Sequence, residues 1–276
     1  MTTYFQVVKQ VLDGLYQDLP AEKRDEGIAG ALQHLSNKYR TVLTEGGPDY
    51  STPEAKFAYI FRYTTAHADF LDAVIRQCAE IGAQTKQTNL IVSCIGGGPG
   101  SDILGFVKYL LPISPKPHLT FFLLDKDQSW GDAWYNLDVI LGSDLRTSSQ
   151  FIPLDVTNSA TWKRSRAYLK AHIFTLIYFL SEIYVEREAA DQFLRDTFSA
   201  MQTGSILIVL DFQDNRLTEW VEDIAANCQL AKKIAADNAE WVIDPLEEKS
   251  DLGEYYTKFG APKIRAKIFY RVYLKE

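Results

Sequence analysis

Asn89-Leu-Ile-Val-Ser-Cys-Ile-Gly-Gly-Gly-Pro-Gly-Ser-Asp102 is the stretch whose reading decides the fold. Leu90 to Ile95 is a short apolar run with β-branched members and reads as a buried strand. It breaks into Gly96, Gly97, Gly98, Pro99 and Gly100, after which Ile103, Leu104, Phe106, Val107, Leu110 and Leu111 fall at helical spacing. Strand, glycine turn and helix together bring backbone N–H groups and a helix N-terminus up to a ligand. A Cβ in such a turn blocks the approach or forbids its backbone angles. The glycines at 96, 98 and 100 spell G-x-G-x-G. The dinucleotide fingerprint needs a glycine at 101, where Ser101 stands, and the phosphate loop needs Lys after Gly100. A helix opening on Ser101 and Asp102 repels a pyrophosphate and suits a neutral or cationic ligand.

Upstream, residues 1–87 read as a helical segment. Phe5, Val8, Leu12, Leu15 and Leu19 mark one apolar stripe, and Ile28, Leu32, Leu35, Tyr39 and Val42 a second. After the loop at 46–53, Thr52 as N-cap and Pro53 at the first helical position open a third helix to about Gly82. On it Tyr59, Tyr63 and His67 are spaced by four and share a face. That face is either a core-facing aromatic stripe or one that closes over the glycine loop and presents Tyr and His to a ligand; Arg62 on the neighbouring face could meet a ligand carboxylate.

Downstream, 88–276 reads as one α/β domain. Leu119 to Leu124 is a second strand ending in Asp125-Lys126-Asp127, and Ser129-x-x-Asp132 then looks like a capping box. Phe151 to Leu154 is a third, ending in Asp155-Val156-Thr157 before a helix carrying Lys163, Arg164, Arg166 and Lys170. Ile173 to Leu180 is a fourth, ending in Ser181-Glu182-Ile183-Tyr184, and Gly204 to Leu210 a fifth. Glu240 to Ile243 and Lys263 to Leu274 read as a last strand pair around a long acidic loop, with Asp244, Glu247, Glu248, Asp251 and Glu254. In the final strand Lys263, Arg265, Lys267 and Arg271 alternate with Ile264, Ala266, Ile268, Tyr270 and Val272, a period-two pattern with a basic face.

Over 88–276 the chain resembles class I S-adenosylmethionine (AdoMet) methyltransferases. The resemblance rests on the G-x-G-x-G loop, the acid after the second strand and the strand order. It implies a seven-stranded, mostly parallel sheet with an antiparallel last strand, behind an N-terminal helical segment or lid. It implies AdoMet held by Gly96, Gly97, Gly98 and Gly100, with the ribose on Asp125, next to Lys126, and the adenine on Asp155 and the Val156 N–H. An acid at a second-strand end that takes ribose hydroxyls is shared with dinucleotide-binding folds. Helix-start roles are the competing readings for Asp125 and Asp155. Trp130 is a stacking wall for adenine or a packing residue. The family usually has an acid two positions before the first glycine; here Cys94 stands there, and Asp102 is the substitute carboxylate. The end of the fourth strand, with Ser181, faces the methyl group in this family, so Glu182 and Tyr184, with His67, are the catalytic or orienting candidates.

Lys56 to Tyr59, Cys94 to Asp102 and Asp125 to Gly131 also resemble a eukaryotic group that includes fungal ribosomal RNA uridine-N3 methyltransferases. These matches lie in the cofactor half and carry the cofactor over better than the substrate. An Asn-Pro-Pro-Tyr type motif and a Pro-Cys nucleophile are both lacking. Ring-nitrogen, hydroxyl, carboxyl and small-molecule acceptors therefore stay open.

A hydrophobic content of 46% and a charged content of 24% are ordinary for a globular protein, and no apolar run approaches membrane-spanning length. With no signal peptide evident and three widely spaced cysteines, the expected place is the cytoplasm, or the nucleus of a eukaryote. The net charge of −7 argues against a general nucleic-acid coat. RNA is the acceptor that the basic final strand and the basic group at 163–170 suggest; a small-molecule acceptor and a non-catalytic AdoMet-binding scaffold are the alternatives. A nicotinamide oxidoreductase is disfavoured by the loop spacing.

Overall fold

The computed structural model describes residues 4–134, 137–141, 144–162, 165–228, 230, 232–242, 245–263 and 265–276. Lys163, Arg164, Ile243, Asp244 and Ile264, and the side chains of Glu247 and Glu248, lie outside what is described. Seven strands form one sheet: β1 (Asn89–Ile95), β2 (His118–Asp125), β3 (Thr147–Pro153), β4 (Ile173–Ile177), β5 (Ile206–Phe212), β6 (Lys232–Val242) and β7 (Arg265–Leu274), in the order β3-β2-β1-β4-β5-β7-β6. The first five are parallel, and β7 runs antiparallel between β5 and β6. This is the sheet expected from the sequence. The inner strand β4 is buried at every position, as a parallel strand covered on both faces must be.

One face of the sheet packs on the N-terminal helices α1 (Tyr4–Asp18), α2 (Arg24–Lys38), α4 (Pro53–Tyr59), α5 (Thr65–Gln77) and α6 (Ala79–Gln84), and on α7 (Ser101–Leu110), whereas the short α3 (Val42–Glu45) sends Leu43 to the core of the opposite face. After β2 come the short α8 (Trp130–Ala133) and α9 (Leu137–Leu141), and after β4 the single turn α10 (Leu180–Ile183). The opposite face carries α11 (Arg187–Ser199) and α12 (Asn215–Asn227).

The third helix departs from its expected form. Thr52 caps it, its side chain accepting the Ala55 N–H at 3.2 Å, but Ile60–Thr64 is a π-turn between α4 and α5. Such wide turns recur at functional sites. Tyr59, Tyr63 and His67 still gather, with ring centroids 5.5 to 6.1 Å apart.

Three further expectations are corrected. The acidic loop before the last strand is a helix, α13 (Pro245–Phe259), kinked at Gly253. Its Leu252, Tyr255 and Phe259 fall at helical spacing; Tyr255 crosses Phe57 at 5.1 Å and donates its hydroxyl to Asp13. The segment after Asp155 makes turns and a 3-10 turn, Ala167–Lys170, in its described part instead of an α-helix. Ser129 caps nothing: its hydroxyl donates to Asp127 and accepts from Lys56.

The basic face of the last strand is exposed only at its start, at Arg265 and Lys267. Arg271 is buried, donating to Glu222 at 2.8 Å and to Asn238 at 3.1 Å. Lys263 is half-buried, 5.6 Å from the Tyr63 ring centroid and 5.5 Å from that of Tyr178. Arg265 pairs with Glu240 at 3.3 Å, which leaves Lys267 without an ion pair among the described residues. Period-two spacing holds for Arg265, Lys267 and Arg271, but Lys263 precedes β7, and β7 is an interior strand whose basic face is covered from Phe269 onward.

Candidate active site

A cavity of about 690 Å³ opens at the carboxyl ends of β1, β2, β3 and β4. That is where open α/β sheets bind ligands, and the size is that of a small-molecule site. Of the residues expected to hold a cofactor, Gly96, Asp125, Lys126, Trp130, Asp155 and Val156 line it, and so does Glu182.

The loop builds the first wall. Gly96 and Gly100 both have positive φ, +70° and +81°, and added Cβ atoms there would run into the rings of Phe179 and Trp134. Gly98 donates its N–H to Asp125 Oδ2 at 3.2 Å, and its carbonyl accepts the Trp134 indole N–H at 2.9 Å. Asp125 Oδ1 accepts the Asp127 N–H at 3.0 Å. The carboxylate is thus oriented by backbone donors on both oxygens while facing the cavity. Burial pushes its pKa up to about 6, against the pull of those two hydrogen bonds. Asp155 is fixed in the same manner, its Oδ1 accepting the Thr157 N–H at 2.9 Å and the Thr157 hydroxyl at 2.7 Å. Lys56, itself buried, reaches from α4 to Ser129 and lies 3.9 Å from Asp127, tying the N-terminal helices to the loop after β2.

The second wall comes from the N-terminal segment and the turn after β4. Glu182 Oε1 accepts hydrogen bonds from the hydroxyls of Tyr39 and Tyr50, the latter at 2.7 Å. Its backbone carbonyl accepts the Gly47 N–H at 3.1 Å. Burial raises the carboxyl to about 7, with the two phenols pulling the other way. Oε1 is saturated, so Oε2 is the oxygen left to exchange a proton. Tyr39, Tyr50 and Gly47 were not singled out from the sequence, where Tyr39 reads only as a stripe residue.

Tyr178, also missed, ends β4 with φ +54°, a left-handed backbone that a tyrosine adopts only when its surroundings impose it. Tyr178 lines the cavity, and its ring stacks on His67, centroids 3.5 Å apart and planes 5° from parallel. His67 is buried behind it, neither ring nitrogen has a hydrogen-bond partner among the described residues, and burial pushes its pKa well down.

The other expected residues sit off the cavity wall. Gly97, Gly98 and Gly100 pack against protein: Cys94 for Gly97, Asp125 and Trp130 for Gly98, Trp134 for Gly100. Asp102 is buried beneath the loop with Oδ1 unpartnered among the described residues, and burial raises its pKa to about 6. Ser181 is buried and donates its N–H to Asp211 at 3.0 Å. Tyr184 turns toward Trp220, at 6.1 Å, and lies under Arg187 and Arg216. Arg62 donates to the Ala261 carbonyl, away from the site.

No family model matches the chain, and no curated protein matches it in sequence. Solved structures do. An O-methyltransferase family protein from Burkholderia thailandensis is similar at a TM-score of 0.50 with 10% identity, over 91% of this chain and 72% of that one. The fold is that of class I methyltransferases. The CurJ carbon methyltransferase is similar at a TM-score of 0.44 with 12% identity, over 95% of this chain and 70% of that one. No described helix is long and apolar enough to cross a membrane.

Proposed function

We propose that the chain is an AdoMet-dependent methyltransferase. The observation that carries the reading is the Asp125 carboxylate, fixed by the Gly98 and Asp127 N–H groups at the end of β2 and turned to the cavity. Each oxygen keeps acceptor capacity, which suits a diol donating two hydrogen bonds. Asp155 and Val156, just after β3, line the same cavity together with Trp130 and are the residues that would take the purine. Bound there, AdoMet supplies a methyl group made electrophilic by its sulfonium.

The chain's own part is orientation and one proton. Positioning dominates such a displacement. Tyr178 and Tyr59 shape the wall, and the N-terminal segment acts as a lid whose Tyr39 and Tyr50, in the loops beside its helices, hold Glu182. Glu182 Oε2 takes the acceptor's proton. A base works in its deprotonated form, so transfer should rise with pH through about 7, the value to which burial raises Glu182. Tyr50→Phe removes a hydrogen bond that favours the carboxylate, so its pH–rate profile should move to higher pH, by roughly half a unit to one unit. An unmoved profile would exclude Glu182 as the base. Transfer of labelled methyl from AdoMet to cell extract tests the activity, and binding of S-adenosylhomocysteine with no transfer to any fraction would leave a non-catalytic scaffold in its place.

A further inference from the structure

The cavity wall has two parts. One comes from the ends of β1 to β3 and holds Gly96, Asp125, Lys126 and Asp155. The other comes from the loop 45–51, the end of α4 and the turns after β4, and includes Glu45, Asp49, Tyr50, Tyr59, Glu182 and Glu186. Among the described lining residues Lys126 is the one cation, and it belongs to the first part. Of the carboxyl groups in the second part, Asp49 is held down by Ser51 and, more weakly, by the charge of Lys126. Glu45 is partly offset from outside by Lys38 at 3.5 Å, and Asp49 accepts the N–H and hydroxyl of Ser51 at 2.9 and 3.0 Å. Glu182 has no such offset: its two partners are neutral phenols.

Aromatic rings complete this part. Tyr50 meets Tyr59 edge-on, centroids 5.0 Å apart at 82°, and lies 5.6 Å from Trp130. Aromatic faces beside a desolvated carboxylate attract an organic cation twice, through the ring quadrupole and through charge. The same wall repels phosphates, which need a basic lining to bind.

Building on the methyltransferase reading, we propose that the methyl acceptor is a small molecule bearing an ammonium group, seated against Glu182 and the rings of Tyr50 and Tyr59, and that RNA is not the acceptor. The proton that Glu182 Oε2 removes is then the ammonium's own.

The test uses the full chain saturated with S-adenosylhomocysteine, at about pH 8, where Glu182 is mostly ionised. Three probes are titrated: tetramethylammonium, the neutral tert-butanol of similar size, and a single-stranded RNA 12-mer. Tetramethylammonium should bind about five- to thirtyfold more tightly than tert-butanol. Glu182→Gln should remove most of that preference while still binding S-adenosylhomocysteine, which also shows that the variant is folded. Equal binding of tetramethylammonium and tert-butanol would overturn the proposal. So would RNA binding that weakens steeply with salt, the mark of phosphate contacts. Failure of S-adenosylhomocysteine itself to bind would instead overturn the methyltransferase reading, and the acceptor class with it.

Discussion

A Gly98→Val chain is expected to bind S-adenosylhomocysteine about a hundredfold more weakly or worse and to lose about 1–3 kcal/mol of stability. A Cβ at this position would lie 2.6 Å from Asp125 Oδ2 and 2.7 Å from Trp130 Cγ. Both neighbours are fixed: Trp130 is 1% exposed, and Asp125 is held by two backbone N–H groups. The side chain therefore cannot be absorbed by a flexible surface group, and overpacking of this kind strains a core. It also breaks the Gly98 N–H···Asp125 bond that aims the carboxylate. The glycine turn alone points to a blocked approach; the packing around Gly98 makes the fold suffer as well. Calorimetric titration alongside thermal unfolding checks it. Normal affinity with a lowered Tm would place the ligand away from this loop.

Glu182→Gln is expected to slow methyl transfer by roughly 10²- to 10⁴-fold, the range for loss of a positioned general base. Affinity for S-adenosylhomocysteine should stay within about threefold, because Glu182 is set off by sequence and by partners from the residues assigned to the nucleoside. Glutamine keeps an oxygen to accept from Tyr39 and Tyr50, so the lid contact survives while the proton acceptor is lost. Single-turnover transfer with each protein separates the two effects. A variant with ordinary turnover would reduce Glu182 to a structural anchor for the lid.

Much of the cavity wall at the ends of β1 to β3 was legible in the sequence because its signals are local. The β1 run, the glycines at 96 to 100 and the stripe of α7 are contiguous, and Asp125 and Asp155 each end an apolar run. The alternation of strand and helix patterns told of an α/β sheet, and its arrangement with an antiparallel last strand came from the resemblance to class I methyltransferases. The wall around Glu182 was less legible because its contacts are long-range. Tyr39 and Tyr50 meet Glu182 across 143 and 132 residues, and no spacing rule reaches that far. The glycines were read as open to ligand, yet Gly98 and Gly100 owe their small size to Trp130 and Trp134, rings brought in by the segment after β2. The basic alternation of the last strand misled for a related reason. Periodicity tells which side chains share a face and not what covers it, and Glu222 of α12 covers Arg271. The α13 pattern of Leu252, Tyr255 and Phe259 was present but obscured by its acidic neighbours.

The most direct measurement is calorimetric titration of the wild-type chain and of Asp125→Ala with S-adenosylhomocysteine. The wild type should bind one equivalent. Asp125→Ala should bind at least about tenfold more weakly, since it removes charged hydrogen bonds to a diol. A wild-type chain that shows no binding up to about 1 mM, or an Asp125→Ala chain that binds as tightly as the wild type, would contradict the account.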